Sequence, residues 1–234
     1  MRVLGIGAHP DDLELYCGGT LARYAARGDH VQMAFLCSGN LGAVDADTPT
    51  LVATRRAEAE AAARLIGAEL LLGGFRDDLQ LFDDGPTRGL VVDLIRQAQP
   101  DVVLTHGDRD HNPDHLATHQ LVLAGVQGAS LKAHCSSRPA IPRRVPVFFF
   151  EPLGGVGFIP TDYVDIETTF ETKLAMWRCH ASQLEFLEQH RGMPNTRIVE
   201  VTAAFRGIQC GVRYAEGFRR HEVYGVLPPA RLLP

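Results

Sequence analysis

No stretch of this 234-residue chain approaches the ~20 consecutive apolar residues that a membrane-spanning helix requires. Its first apolar run, Val3 to Ala8, is short and meets His9 and two aspartates at once, which reads as a buried strand feeding a polar loop and not as a secretory leader. A cytoplasmic protein is therefore expected. Basic residues are outnumbered by acidic ones, giving a net charge of -5, so the clustered positive excess that nucleic-acid binding needs is missing. The five cysteines (Cys17, Cys37, Cys135, Cys179 and Cys210) are odd in number, widely spread and without a C-x-x-C pair. That argues against both a disulfide framework and a cysteine zinc site. Internal repeats, low-complexity segments and long linkers are also missing, so residues 1–234 are expected to form one domain. Nor is there a complete dinucleotide fingerprint. Gly5-Ile6-Gly7 begins one, but Pro10 stands three residues after Gly7, and Asp11 and Asp12 follow where phosphates would sit.

What is present is the balance of a globular protein, 45% hydrophobic and 22% charged. Strand-like and helix-like patterns alternate through the first half. Strands are expected at Arg2–Gly7, His30–Cys37, Glu69–Leu72 and Asp101–Thr105, with helices at Asp12–Arg27, Ala53–Ile66, Leu90–Gln99 and His115–Leu131. Such alternation predicts an α/β, Rossmann-like fold with a mostly parallel sheet flanked by helices. The second half is less regular. Val147–Phe150 reads as a core strand and not as an interface segment, Glu151–Pro160 as a loop or rim, and Tyr163–Ile166 as a short strand. Helices are expected at Thr169–Cys179 and Gln183–Gln189.

In an open parallel sheet, functional groups collect at the carboxyl ends of the strands. The first strand delivers Ala8-His9-Pro10-Asp11-Asp12-Leu13-Glu14 to that edge, and the fourth delivers the stretch from Thr105 to His115, rich in His and Asp. Neutral imidazoles and carboxylates suit zinc, which in catalytic sites takes three protein ligands and a water. His9 and Asp12, three residues apart around a turn, can face one ion with His115 as the third ligand. Asp11 beside them is placed to act as general base toward a zinc-bound water. Asp11 or Asp12 taken alone serves equally well as a helix cap, and a lone helical histidine is ordinarily a packing residue. The conjunction of the two clusters at strand ends is what points to a metal.

The first motif resembles the A-H-P-D-D-x-E signature of the LmbE-like, or PIG-L, N-acetylglucosaminyl deacetylases. Gly18-Gly19-Thr20, Cys37-Ser38-Gly39, Arg55-Arg56-Ala57-Glu58, Leu65-Ile66-Gly67-Ala68, Asn112-Pro113-Asp114-His115, Lys173-Leu174, His180-Ala181-Ser182-Gln183 and Tyr214-Ala215-Glu216-Gly217-Phe218-Arg219 are similar to later family landmarks in the same order. The resemblance implies zinc on His9, Asp12 and His115, Asp11 as base and Glu14 as a supporting carboxylate. Iron or another divalent ion is compatible with the same donors. It also implies contacts to sugar hydroxyls from Arg55 and Asp77, with Asp78 the competing alignment; Arg55 paired with Glu58 on its helix is the structural alternative. His180 is assigned to the substrate side.

Many family members carry His-Pro-Asp-His in the second motif, whereas here the first of these positions is Asn112 and His111 lies one residue earlier. An amide side chain donates a hydrogen bond but cannot titrate. Asn112 is thus read as an oxyanion donor with Asp11 moving the protons, or else His111 or His180 takes over proton transfer. Asp114 either orients a histidine or caps the following helix. The implied reaction is zinc-dependent hydrolysis of an N-acetylglucosamine-type amide to amine and acetate, on a small-molecule N-acetyl amino sugar or its conjugate. An amidase acting on a thiol-sugar conjugate or another N-acyl compound is the neighbouring alternative. A non-catalytic zinc- or nucleotide-binding α/β module is the alternative of a different class. Family members often self-associate, so a homo-oligomer is compatible with the resemblance.

Overall fold

The computed structural model describes residues 1–43, 48–71, 74–191, 195–224 and 232–234. Seven strands form one sheet in the order β3-β2-β1-β4-β5-β7-β6. They are β1 (Arg2–Gly7), β2 (His30–Phe35), β3 (Glu69–Leu71), β4 (Val102–Thr105), β5 (Val147–Phe150), β6 (Asp162–Asp165) and β7 (Ala215–Arg220). The first five run parallel, and β7 is antiparallel to both of its neighbours. The helices are α1 (Asp12–Ala26), α2 (Thr48–Leu65), α3 (Gly85–Ala98), α4 (Pro113–Ala129), α5 (Phe170–Arg178), α6 (Ala181–Arg191) and α7 (Asn195–Cys210). The chain leaves β1 in one direction toward β2 and β3 and returns to pair β4 on the other side of β1. The carboxyl ends of β1 and β4 therefore flank a topological switch point, where crevices open in such sheets.

Side chains alternate across β1. Val3 joins a core shared with α1, α2, α5 and α7, while Leu4 and Ile6 join the opposite core with α3 and α4. The face toward α1 is otherwise glycine, which allows close approach. A Cβ on Gly5 would lie 3.0 Å from a Leu13 methyl, and one on Gly7 would lie 2.9 Å from the Cβ of Asp12. Gly7 thus clears the space into which Asp12 folds back. Val147, Phe148, Phe149 and Phe150 are at most 4% exposed, so this run belongs to the core of the chain itself.

Several boundaries differ from the sequence expectation. The second strand stops at Phe35, two residues before Cys37, and α2, α3 and α4 begin earlier than their apolar periodicity indicates. For α4 the reason is capping. Asn112 accepts a hydrogen bond from the Asp114 amide at 2.9 Å and Pro113 takes the first helical position, so His115 sits inside the first turn. The proposed loop after β5 contains a 3-10 turn at Leu153–Gly155. Helix α7 and strand β7 were not anticipated. The latter reads AEGFRR, with little of the apolar alternation of a half-buried strand. Leu72, the expected end of the third strand, lies outside the described residues.

Strand β7 has a specific task. Helix α1 kinks at Cys17 (φ -140°), just before the Gly18-Gly19 pair, which frees backbone amides beyond the kink. Glu216 of β7 accepts from the amides of Gly19 (3.0 Å) and Thr20 (2.7 Å) and pairs with Lys173 of α5. Both charged side chains are buried. Lys173→Met leaves that carboxylate without its cation and is expected to cost about 3–5 kcal/mol. Urea denaturation checks this; a loss below about 1 kcal/mol would contradict the role given to the pair.

Candidate metal centre

The turn after β1 is built around one carboxylate. Asp12 Oδ2 accepts from the backbone amides of Ala8 (2.9 Å) and His9 (2.8 Å) and lies 3.0 Å from His106 Nε2. Its Oδ1 remains for the cleft, 3.4 Å from His115 Nε2. His115 is fixed by its other nitrogen, Nδ1, at 2.9 Å from Asp110 Oδ2. His9 is held the same way: Nε2 lies 3.1 Å from Asp114 Oδ2, and Nδ1 lies 3.6 Å from Asp12 Oδ2. A carboxylate behind each imidazole sets its orientation and tautomer, as metal-ligating histidines require.

The donor atoms of His9, Asp12 and His115 lie within 4.8 Å of one another. Tetrahedral zinc with bonds near 2.0–2.1 Å places its ligands about 3.3 Å apart, and the 3.4 Å between His115 Nε2 and Asp12 Oδ1 fits such an ion. Two other sets satisfy the same distance limit among the described residues, His9–Cys37–Asp114 and His106–Asp110–His115. Each contains a pair already in hydrogen-bond contact, His9 with Asp114 in the first and His115 with Asp110 in the second. Burial, reinforced by Asp114 and Asp78, also pushes the Cys37 thiol up and keeps it protonated.

Charge favours a cation here. Asp11, Asp12, Asp78, Asp110 and Asp114 gather around the imidazoles, with Arg55 as the guanidinium among them. Burial disfavours a charged His9, but hydrogen bonds to Asp114 and Asp12 and the charges of Asp12 and Asp78 outweigh it and carry the group to about 10. His115 is likewise opposed by burial and raised by Asp12 and Asp110, to about 9. His106 goes the other way. Burial and the charge of His115 lower it to about 4 against the pull of Asp12, so it stays neutral. Asp11 is raised by burial, countered by Arg55 at 3.0 Å and raised again by Asp12, to about 6. Its backbone has φ 139°, a strained conformation for a side-chain-bearing residue and one that clusters at functional sites.

These groups open onto a cleft of about 240 Å³ lined by His9, Asp11, Asp12, Arg55, Asp78, His111, Asn112, Asp114 and His115 together with apolar side chains. Arg55, 2% exposed, also donates to the carbonyls of Pro10 (2.8 Å) and Gly39 (3.2 Å), whereas Glu58 bonds Ser182 instead. Two expectations are corrected. Asp77 faces solvent outside the cleft, while Asp78 is turned inward by the amides of Gly39 (2.8 Å) and Leu41 (3.1 Å). His180 is fully buried, 3.3 Å from the equally buried Glu14, and does not line the cleft, so this pair supports the first turn of α1 from behind. Sequence reasoning also gave no role to His106, Asp110 or Tyr16, whose ring meets His106 and His115 edge-on at 5.7 and 6.0 Å. The detectable signal was the need for one orienting partner per ligand histidine, which Asp110 and Asp114 fill.

The family model described as PIG-L, GlcNAc-PI de-N-acetylase, matches residues 4–126, which contain the whole donor set. The chain belongs to the PIG-L family. A 1D-myo-inositol 2-acetamido-2-deoxy-alpha-D-glucopyranoside deacetylase of Mycobacterium leprae is 33% identical over 182 residues, covering 64% of this chain and 59% of that relative's length. The N,N'-diacetylchitobiose deacetylase structure from Pyrococcus horikoshii superposes with a TM-score of 0.82 at 28% identity, covering 93% of this chain and 82% of that one. A 4-oxalmesaconate hydratase of Pseudomonas putida is 28% identical over 239 residues, covering 92% of this chain and 87% of the relative. This PIG-L member therefore shares its fold and family with proteins named for more than one reaction.

With His9 near 10 and His115 near 9, both imidazoles of the metal-free protein are charged at pH 7 and must lose protons to bind a metal. Zinc binding is expected to release about two protons at pH 7 and to strengthen as pH rises from 6 to 8. Calorimetric titration in buffers of different ionisation enthalpy counts those protons, and a release of zero would contradict the assignment. In the metal-free protein these raised values stabilise the fold most below pH 6.5, and that contribution fades as pH climbs through 9 to 10.

Proposed function

We propose that the chain is a metal-dependent N-deacetylase that hydrolyses the acetamide of an N-acetylglucosamine-type amino sugar to amine and acetate. The observation that carries this reading is the three inward-facing donor atoms of His9, Asp12 and His115, each fixed from behind, beside the buried Asp11–Arg55 pair. Zinc is the ion the set suits best, with ferrous iron the next candidate. When bound, the metal supplies Lewis acidity, polarising the amide carbonyl and stabilising charge on its oxygen.

The chain's own groups do the rest. Asp11 is a carboxylate at neutral pH with a raised proton affinity, the condition for a general base. It accepts a proton from the attacking water as the new C–O bond forms, and returns it to the nitrogen as the C–N bond breaks. Arg55 holds the Asp11 carboxylate and, through Pro10 and Gly39, the loops that flank it. Asn112 spends its Oδ1 on capping α4, which leaves its amide NH₂ to donate toward the carbonyl oxygen. His111 stands more exposed at the mouth, with Nδ1 3.1 Å from Asp110.

Hydration of an unsaturated acid is the second reading, favoured by the likeness to the P. putida hydratase over nearly the whole chain. The cleft fits it less well. An anionic substrate would meet carboxylates, and the guanidinium of Arg55 is already engaged by Asp11.

Acetate release from N-acetylglucosamine and its glycosides, measured with and without added zinc, separates the two readings. Release that depends on metal supports the deacetylase, and water addition to an unsaturated acid without acetate release supports the hydratase. Asp11→Asn is expected to lower kcat by 10²–10⁴-fold while the metal content stays at one per chain, about the range of general-base catalysis. Because the bound ion draws Asp11 downward, the acid limb of the wild-type rate profile should fall at or below about pH 6. Full activity in Asp11→Asn would remove Asp11 from the mechanism.

A further inference from the structure

A third of the residues that line the cleft are leucine or phenylalanine. Leu15, Leu41, Leu79, Leu153, Phe186 and Leu187 line it alongside the charged groups, and they arrive from α1, α6 and the loops after β2, β3 and β5. The buried floor of the cleft is polar, and leucines stand at its mouth beside the exposed His111. Asp11, Asp12, Asp114 and His115 are at most 6% exposed, whereas Leu41 and Leu79 are 52% and 59% exposed and form the mouth.

Leu79 is the informative member. Its backbone has φ 63°, in the left-handed region that leucine avoids and that glycine or asparagine occupies without difficulty. Its side chain is too exposed for core packing to explain the choice of residue. The strained turn is tied to the metal centre, since the Leu79 amide donates at 2.8 Å to Asp114 Oδ2, the same oxygen that meets His9 Nε2 at 3.1 Å. A branched apolar side chain is thus held at a costly backbone position on the rim of the reaction cleft.

We propose that this rim is a subsite for an apolar substituent on the amine portion of the substrate, so that the preferred substrate is a hydrophobic glycoside of N-acetylglucosamine and not the free sugar. The inference rests on the deacetylase reading above. The side is chosen by depth. The scissile carbonyl must reach the buried donor set, and an acetyl group ends one carbon beyond that carbonyl, so whatever reaches the mouth belongs to the amine portion.

The test compares n-alkyl β-glycosides of N-acetylglucosamine, from methyl to hexyl, with a second series of methyl glycosides whose N-acyl chain grows from acetyl to hexanoyl. In the zinc-loaded wild type, kcat/KM should rise along the alkyl series by up to about fourfold per methylene and reach at least tenfold for hexyl over methyl. The acyl series should show no such rise. In Leu79→Asn, which relieves the backbone strain, Tm should increase while the hexyl-to-methyl ratio falls at least threefold; Leu41→Asn should lower the same ratio. A flat alkyl series, a rise confined to the acyl series, or an unchanged ratio in both variants would overturn the subsite while leaving the deacetylase reading intact. Wild-type protein that releases acetate from neither series overturns that reading, and the subsite falls with it.

Discussion

The Asp12 carboxylate divides its two oxygens between the fold and the cleft, and the remaining site geometry follows from that division. One oxygen closes the turn after β1 by taking two backbone amides and the neutral His106, while the other faces His115. Gly7 permits the arrangement, because any side chain there would occupy the space of the Asp12 Cβ. The same closure holds Asp11 at φ 139°, a conformation that costs about 1–3 kcal/mol and persists only where its surroundings over-determine it. Those surroundings are the Asp11 carbonyl bonded to the Leu15 amide at 3.0 Å and the carboxylate bonded to Arg55.

Concentrating carboxylates at one edge of a sheet is unfavourable unless something positive offsets them. Asp12 and Asp114 stand in the first turns of α1 and α4, where the free amides and helix dipoles supply partial positive charge. Arg55 supplies a full charge, and in the metal-free state His9 and His115 take up protons. A divalent ion held there would replace those two protons with charge at the point where the imidazoles and Asp12 converge. Folding and metal binding therefore draw on the same electrostatic imbalance.

Much of this was legible in the residues. The A-H-P-D-D-x-E run, the Asp- and His-rich stretch before α4 and the strand–helix alternation were sufficient to expect the parallel sheet, and the structure brings His9, Asp12 and His115 together at its carboxyl edge. Reading failed where the outcome depends on backbone geometry or on distant packing. Asp77 and Asp78 are chemically identical neighbours, and only the amides of Gly39 and Leu41 decide which turns inward. His180 has the chemistry of a substrate contact, but α5 and α6 carry it behind Glu14. Strand β7 escaped because its polar residues are satisfied by partners far away in the chain, Glu216 by α1 and Arg219 by Asp108. The left-handed leucine at 79 has no local signal of any kind.

X-ray absorption at the metal edge of the zinc-loaded protein tests the centre most directly. A first shell of nitrogen and oxygen near 2.0–2.1 Å, with the multiple-scattering signature of two imidazoles, is the result expected for His9, Asp12 and His115. A sulfur scatterer near 2.3 Å would place the ion against Cys37, and a single imidazole would break the His9–His115 pair; either result would contradict the site described above.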